Sequence, residues 1–153
     1  APALQRFLST INANEEKSPF QAIRQQRQEA LPDLLQQAGI APYNRKARSI
    51  WELAHSNLDL RTCTVADLED IYGIGMKTAR CYIMHSRKDE QLAGIDTHLR
   101  KHLRTMGYDV PENLSRKHYL HFEQILIEDA QRQGKNFADY DLGIWLRYRK
   151  KTN

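Results

Sequence analysis

Two residues of this chain, Lys77 and Asp96, could do covalent chemistry together. A neutral lysine amine attacks electrophilic carbon and can hold it as a Schiff base. A carboxylate beside it stabilises positive charge building on a sugar ring, or takes the proton that the amine or a water gives up. Partial burial and neighbouring cations are the usual means of keeping such an amine neutral. Lys77 directly follows Gly73-Ile74-Gly75-Met76, and Asp96 lies within Gly94-Ile95-Asp96-Thr97-His98. Glycines ahead of a helix can take positive φ and let a ligand approach the backbone. The first turn of that helix offers unpaired N–H groups that suit a phosphate oxygen. An amine, an acid and a phosphate grip point to reaction on DNA, with Gly73, Ile74, Gly75, Met76, Lys77 and Thr78 as contacts. The plainer alternatives are a lysine that only faces a phosphate and an aspartate that only caps a helix.

The elements that must position these residues are helices. Thr64 with Asp67 has the form of a capping box, and Leu68 and Ile71 share one face of the short helix it starts. A second helix is expected from about Met76, with Ala79 and Ile83 on its apolar stripe. Asp96 opens the run Leu99, Leu103, Met106, which Gly107 should stop. Ser18-Pro19 reads as a helix start, Pro32 as an interruption or restart near residues 29–31, and Gly39 as the close of that piece. Residues 43–55 turn Ala47, Ile50, Trp51 and Ala54 to one side. Ser115 should open a long helix lined by Tyr119, Phe122, Leu126 and Ala130 and closed by Gly134. A last helix runs from about Phe137 to Arg149, with Phe137, Asp141, Ile144, Trp145 and Tyr148 on one face. Asp141 on that stripe calls for a hydrogen-bond partner or a function, and Trp145 and Tyr148 read as core. Residues 12–18, 87–94 and 108–114 read as linkers. Strand alternation and internal repeats are absent, so the fold class is all-α.

Residues 66–79, ADLEDIYGIGMKTA, resemble the helix-hairpin-helix motif of the endonuclease III-like DNA glycosylases, with the hairpin over about 64–86. That family follows the hairpin with V-D-T-H, and here stands Ile95-Asp96-Thr97-His98. Upstream, Tyr43-Asn44-Arg45-Lys46-Ala47 with Ile50 is similar to the family's G-(L/F)-Y-N-x-K-A, Gly39 and Ile40 fitting and Ala41 and Pro42 inserted. The three blocks run in order over about residues 39–107, close to half of the chain. The resemblance implies one helix-hairpin-helix glycosylase-like domain over 1–153, built as two small helical lobes around a cleft. It implies that Lys77 expels a damaged base and leaves a Schiff base that eliminates the phosphate, with Asp96 stabilising the charged sugar. Arg45, Lys46 and Arg100 would add DNA contacts, and His98 and Asp141 would line the site. A monovalent cation on the hairpin carbonyls is a further implication.

Many relatives carry a four-cysteine iron–sulfur loop. With only Cys63 and Cys81 this chain is expected to hold no cluster. Two histidine pairs, His98/His102 and His118/His121, lack an HExxH signature, so no metal site is expected. At 153 residues one domain is the prior, and the formal net charge of +4 is mild. The basic clusters Arg45/Lys46/Arg48, Arg100/Lys101/Arg104 and Arg147/Arg149/Lys150/Lys151 lie beside the motif blocks, which favours nucleic acid over ordinary solvated faces. No disulfide framework, membrane-length apolar run or export signal is present, which supports a cytoplasmic setting, nucleoid-associated in a bacterium. The expected partner is double-stranded DNA, bound by a monomer. The chain departs from the family in the polar run IRQQRQEALPDLLQQ, where a longer apolar helix and a loop with a base-gap glutamine are usual. Gln25, Gln26 and Gln28 are available as wedges, and the N-terminal lobe looks shortened. The reading is a DNA glycosylase with abasic-site lyase activity. Its alternatives are a non-catalytic hairpin module that holds DNA for a partner, and a DNA-base modification enzyme on the same scaffold.

Overall fold

The computed structural model describes residues 2–149. All regular structure in that range is helical, and no strand occurs among the described residues. The chain divides into two compact units, Ala1–Ile74 and Gly75–Asn153.

The first unit holds α1 (Pro2–Thr10), α2 (Pro19–Arg24), a 3₁₀ turn (Gln28–Ala30), α3 (Leu31–Ala38), α4 (Tyr43–His55) and α5 (Val65–Glu69). Ser18 caps α2 through a capping box with Gln21, and Pro19 takes the first turn, where its missing N–H costs nothing. Pro32 sits in the first turn of α3, so it restarts the helix as expected. Gly39 ends α3 in the left-handed region at φ 77°. The run that reads as polar still supplies core. Ala22, Ile23, Leu31, Leu35 and Ala38 are buried with Phe7, Ile11, Ala47 and Ala54. The Arg6 guanidinium donates to the Ala38 carbonyl at the end of α3 (2.9 Å), supplying an orphan acceptor there with a donor.

The second unit holds α6 (Met76–Ser86), α7 (Thr97–Thr105), α8 (Arg116–Arg132) and α9 (Phe137–Tyr148). Ser115 and Asn136 cap α8 and α9 by accepting the N–H groups of His118 and Asp139. The core gathers Ile95, Leu99 and Leu103 from the α7 side, Tyr119, Phe122, Leu126 and Ala130 from α8, and Phe137, Tyr140 and Ile144 from α9. Trp145 departs from expectation. It is 41% exposed, because it follows Ile144 by one residue and so points about 100° away around the helix. Tyr148 packs on the core as a half-buried neighbour.

Candidate active site

In the first unit the turn after α5 is held from α4. Tyr72 donates its N–H to Glu52 Oε2 (3.0 Å), Ser49 Oγ donates to the Tyr72 carbonyl, and the Arg48 guanidinium lies 3.8 Å from the Tyr72 ring centre. Arg48 Nε also bonds Glu52 Oε1 (2.8 Å). Gly73 follows at φ 78°, where a β-carbon would stand 2.3 Å from Ser49 Oγ and 3.6 Å from Arg45 Nε. Gly73→Ala is therefore expected to destabilise by about 1–3 kcal/mol, read from the urea midpoint, since left-handed strain adds to displacement of Ser49. Arg45 and Lys46 are exposed on α4, and the Lys46 ammonium donates to the Ala41 carbonyl.

Gly75 corrects an expectation. It caps α6 at φ −95°, ψ 179°, an extended conformation open to any residue, and a β-carbon there would meet nothing within 4 Å. No side chain caps this helix. The N–H groups of its first turn, at Met76, Lys77 and Thr78, lack the intrahelical partners that later residues have. Lys77 is exposed in that turn, so the partial burial expected of a reactive amine is not found.

Asp96 caps α7. Its Oδ1 accepts the N–H groups of His98 (2.8 Å) and Leu99 (2.9 Å), and its Oδ2 faces His98 Nδ1 at 3.0 Å. Burial pushes this carboxyl up, but the bonds from His98 and from the Leu99 and His98 amides outweigh it and hold it below the usual carboxylate range. The cap and the charge thus belong to one half-buried group. Asp141 behaves oppositely. Burial, and then the nearby Asp96 charge, push its carboxyl up, against the pull of His85, His98 and Lys77. His85 Nε2 lies 4.0 Å from Asp141 Oδ2. Two carboxyls with opposed shifts in one place are a mark of functional sites.

Lys77 and Asp96 come together through close packing. Gly94 is buried where α6 passes, and a β-carbon there would fall 2.0 Å from Cys81 Sγ and 3.2 Å from the Lys77 carbonyl. Lys77, Asp96 and Asp141 all act electrostatically on the Cys81 thiol. The structure therefore unites Lys77, Asp96, His98 and Asp141 in one group within the second unit. It adds Cys81 and His85, one and two turns beyond Lys77 on the same face of α6, which helical spacing could have indicated. It also adds Trp145, whose ring meets His98 edge-on at 6.3 Å.

Because Asp141 is raised and Asp96 lowered, the two should mark stability with opposite pH signs. Asp141 penalises the fold once it must ionise, so Asp141→Asn should raise the melting temperature above the pKa of an unfolded aspartate and lose that gain in acid. Asp96 stabilises above the pKa of an unfolded aspartate, and that contribution is lost as pH falls through its lowered value. Melting curves from pH 3 to 8 read both.

Other basic residues have local work. Arg100 Nη1 donates to the carbonyls of Pro111 (3.3 Å) and Glu112 (2.5 Å), and Arg104 Nη2 to that of Val110 (2.9 Å). These bonds fasten the loop after α7. Lys101 lies over the Tyr148 ring (4.9 Å) and Arg149 over Trp145 (5.3 Å), while Arg147 is exposed. Lys150 and Lys151 of the third basic cluster lie outside the described residues. Among the described residues no three His, Cys, Asp or Glu side chains converge to hold a metal ion, and no helix is long and apolar enough to cross a membrane.

A family model described as 8-oxoguanine DNA glycosylase matches residues 3–135. An 8-oxoguanine DNA glycosylase/AP lyase of Thermotoga sp. (strain RQ2) is 31% identical over 83 residues, covering 53% of this chain and 40% of the relative. One from Methanocaldococcus jannaschii is 28% identical over 103 residues, covering 66% of this chain and 49% of the relative. The matches thus span less than half the length of those curated relatives. The crystal structure of the Methanocaldococcus jannaschii 8-oxoguanine glycosylase/lyase, in complex with a 15mer DNA containing 8-oxoguanine, superposes with a TM-score of 0.73 at 22% identity. It covers 99% of this chain and 74% of that one, which establishes a shared fold.

Proposed function

The chain belongs to the 8-oxoguanine DNA glycosylase family, and from that premise we propose that it removes 8-oxoguanine or a closely related oxidised purine from duplex DNA and then cleaves the strand as an abasic-site lyase. The observation that supports this reading is the packing of Gly94 on α6, which brings the Lys77 backbone beside the segment leading into the Asp96 cap. Lys77 Nζ attacks C1′ of the lesion nucleoside, and the N-glycosidic bond breaks as the base leaves with a proton. The ionised Asp96 lowers the energy of the oxocarbenium-like sugar on the way. The C1′–O4′ bond of the resulting aminal then breaks, with O4′ taking a proton, which leaves the Schiff base, and loss of the C2′ proton expels the 3′-phosphate by β-elimination. Asp96 is suited to its part because it is held ionised, while Asp141, held toward its neutral form, is suited to give or take a proton. Trp145, exposed beside His98, offers a flat apolar surface for a base.

The first turn of α6 is proposed to hold a phosphate through its free amides, and within the first unit Arg45 and Lys46 are proposed to meet phosphates of their own. Gly75→Ala tests this. Nothing in the fold opposes its β-carbon, so stability should stay within about 0.5 kcal/mol while duplex affinity falls about tenfold in a titration at fixed salt. A monovalent cation on the turn is compatible with the second lone pair of the Ile71 carbonyl, which already accepts one N–H bond. The two cysteines, one in each unit, do not fit a four-thiolate cluster.

Duplexes carrying one 8-oxoguanine or one abasic site, with and without borohydride, test the whole reading. The expected results are base release, strand scission and a trapped covalent adduct. Tight, salt-sensitive binding with no release and no adduct on any lesion would make the chain a DNA-holding module.

A further inference from the structure

The segment before Asp96 has no helix or sheet partner, yet Ala93, Gly94 and Ile95 are all buried. Buried backbone groups must find partners somewhere. Here they find them in the side chains of α8. Tyr119 Oη donates to the Ala93 carbonyl (2.8 Å) and accepts the Ile95 N–H (2.8 Å). Glu123 Oε1 accepts the Ala93 N–H (2.8 Å). The same carboxylate accepts Arg80 Nε, at 2.9 Å to Oε1 and 3.1 Å to Oε2. Arg80 stands on α6 one turn after Lys77, and its guanidinium lies 5.2 Å from the Tyr119 ring centre. Arg80, Tyr119 and Glu123 are 4%, 5% and 7% exposed, so solvent does not loosen these bonds.

We propose that Tyr119 and Glu123 are positioning residues for the reaction, because they fasten the helix carrying Lys77 and the strap carrying Asp96 to the same point on α8. This rests on the roles proposed above for Lys77 and Asp96. One carboxylate bonds both partners, so the separation of amine and acid is set by a buried group that touches neither substrate nor reacting atoms. Gly94 makes the arrangement possible, since any β-carbon there would force the strap off α6. A displacement of about 1 Å in such a pair is enough to cost on the order of a hundredfold in rate.

The test compares Tyr119→Phe, Glu123→Gln and Glu123→Ala in the full chain. Tyr119→Phe keeps the ring and removes only the hydroxyl. Glu123→Gln keeps an acceptor for the Ala93 N–H and loses the charge. Two quantities are read for each variant. One is affinity for a duplex carrying a tetrahydrofuran abasic analogue, which cannot react. The other is the single-turnover rate of borohydride-trapped adduct formation on a true abasic duplex at saturating protein. Cooperative melting establishes that each variant is folded. Tyr119→Phe should bind the analogue within twofold of wild type and form adduct at least tenfold more slowly. Glu123→Gln should recover most of the rate that Glu123→Ala loses. A folded Tyr119→Phe with a rate within twofold of wild type, or one whose affinity falls as far as its rate, would overturn the proposal. A wild-type chain that forms no adduct would instead refute the lyase reading on which it stands.

Discussion

Replacing Lys77 by alanine should abolish the borohydride-trapped adduct, with at least about a 10³-fold loss of strand scission. The fold should survive the change. Lys77 is exposed at the start of α6, and alanine is the best helix former. Melting temperature should move little, and duplex affinity should fall by severalfold at most, as one phosphate-facing charge is lost. The diagnostic quantity is thus the ratio of adduct formation to binding. If base release persists in Lys77→Ala while the adduct is gone, water rather than the amine is the nucleophile. If adduct persists, another amine is responsible and the assignment of Lys77 fails.

Asp96→Asn should cost about 10²- to 10³-fold in base release, on the order of 3–4 kcal/mol of transition-state stabilisation. This substitution separates two roles that the structure joins in one side chain. Asparagine can still accept the His98 and Leu99 amides through its carbonyl oxygen, and as an N-cap it nearly equals aspartate. The cap should therefore persist, with a stability loss below about 1 kcal/mol. What disappears is the negative charge that acts on Cys81 and Asp141. A kinetic defect with an almost unchanged melting curve is the expected signature. A loss of stability that accounts for the whole kinetic effect would reduce Asp96 to a helix cap.

Much of this was legible in the chain. The α4 boundaries, the capping box at Thr64, the start of α6 at Met76 and the cap at Asp96 follow from short-range rules that need only neighbouring residues. The nearness of the Lys77 backbone to the segment before Asp96 was legible through motif spacing, which stands in for packing. Where tertiary contact decides, the residues carried little signal. The bonds from Ser49 and Glu52 to Tyr72 join a helix to a loop backbone, and any backbone group can be such a partner. Arg80 and Glu123 are far apart in sequence, and each alone reads as a solvated charge. Gly75 looks in sequence like Gly73, yet of the two only Gly73 has positive φ, which neighbouring residues alone do not signal. Trp145 was placed in the core by a face drawn one residue too wide.

Cys81 adds one more consequence. Burial pushes its thiol up, the Lys77 charge opposes this, and the charges of Asp141 and Asp96 reinforce it, with the net result upward. Peroxides attack thiolates rather than thiols. A cell that accumulates oxidised bases is also one rich in peroxide, and a sulfur kept protonated at the edge of the reactive group resists that damage. Burial first, and the charges of Asp141 and Asp96 after it, would then keep this sulfur in the form that peroxides do not attack.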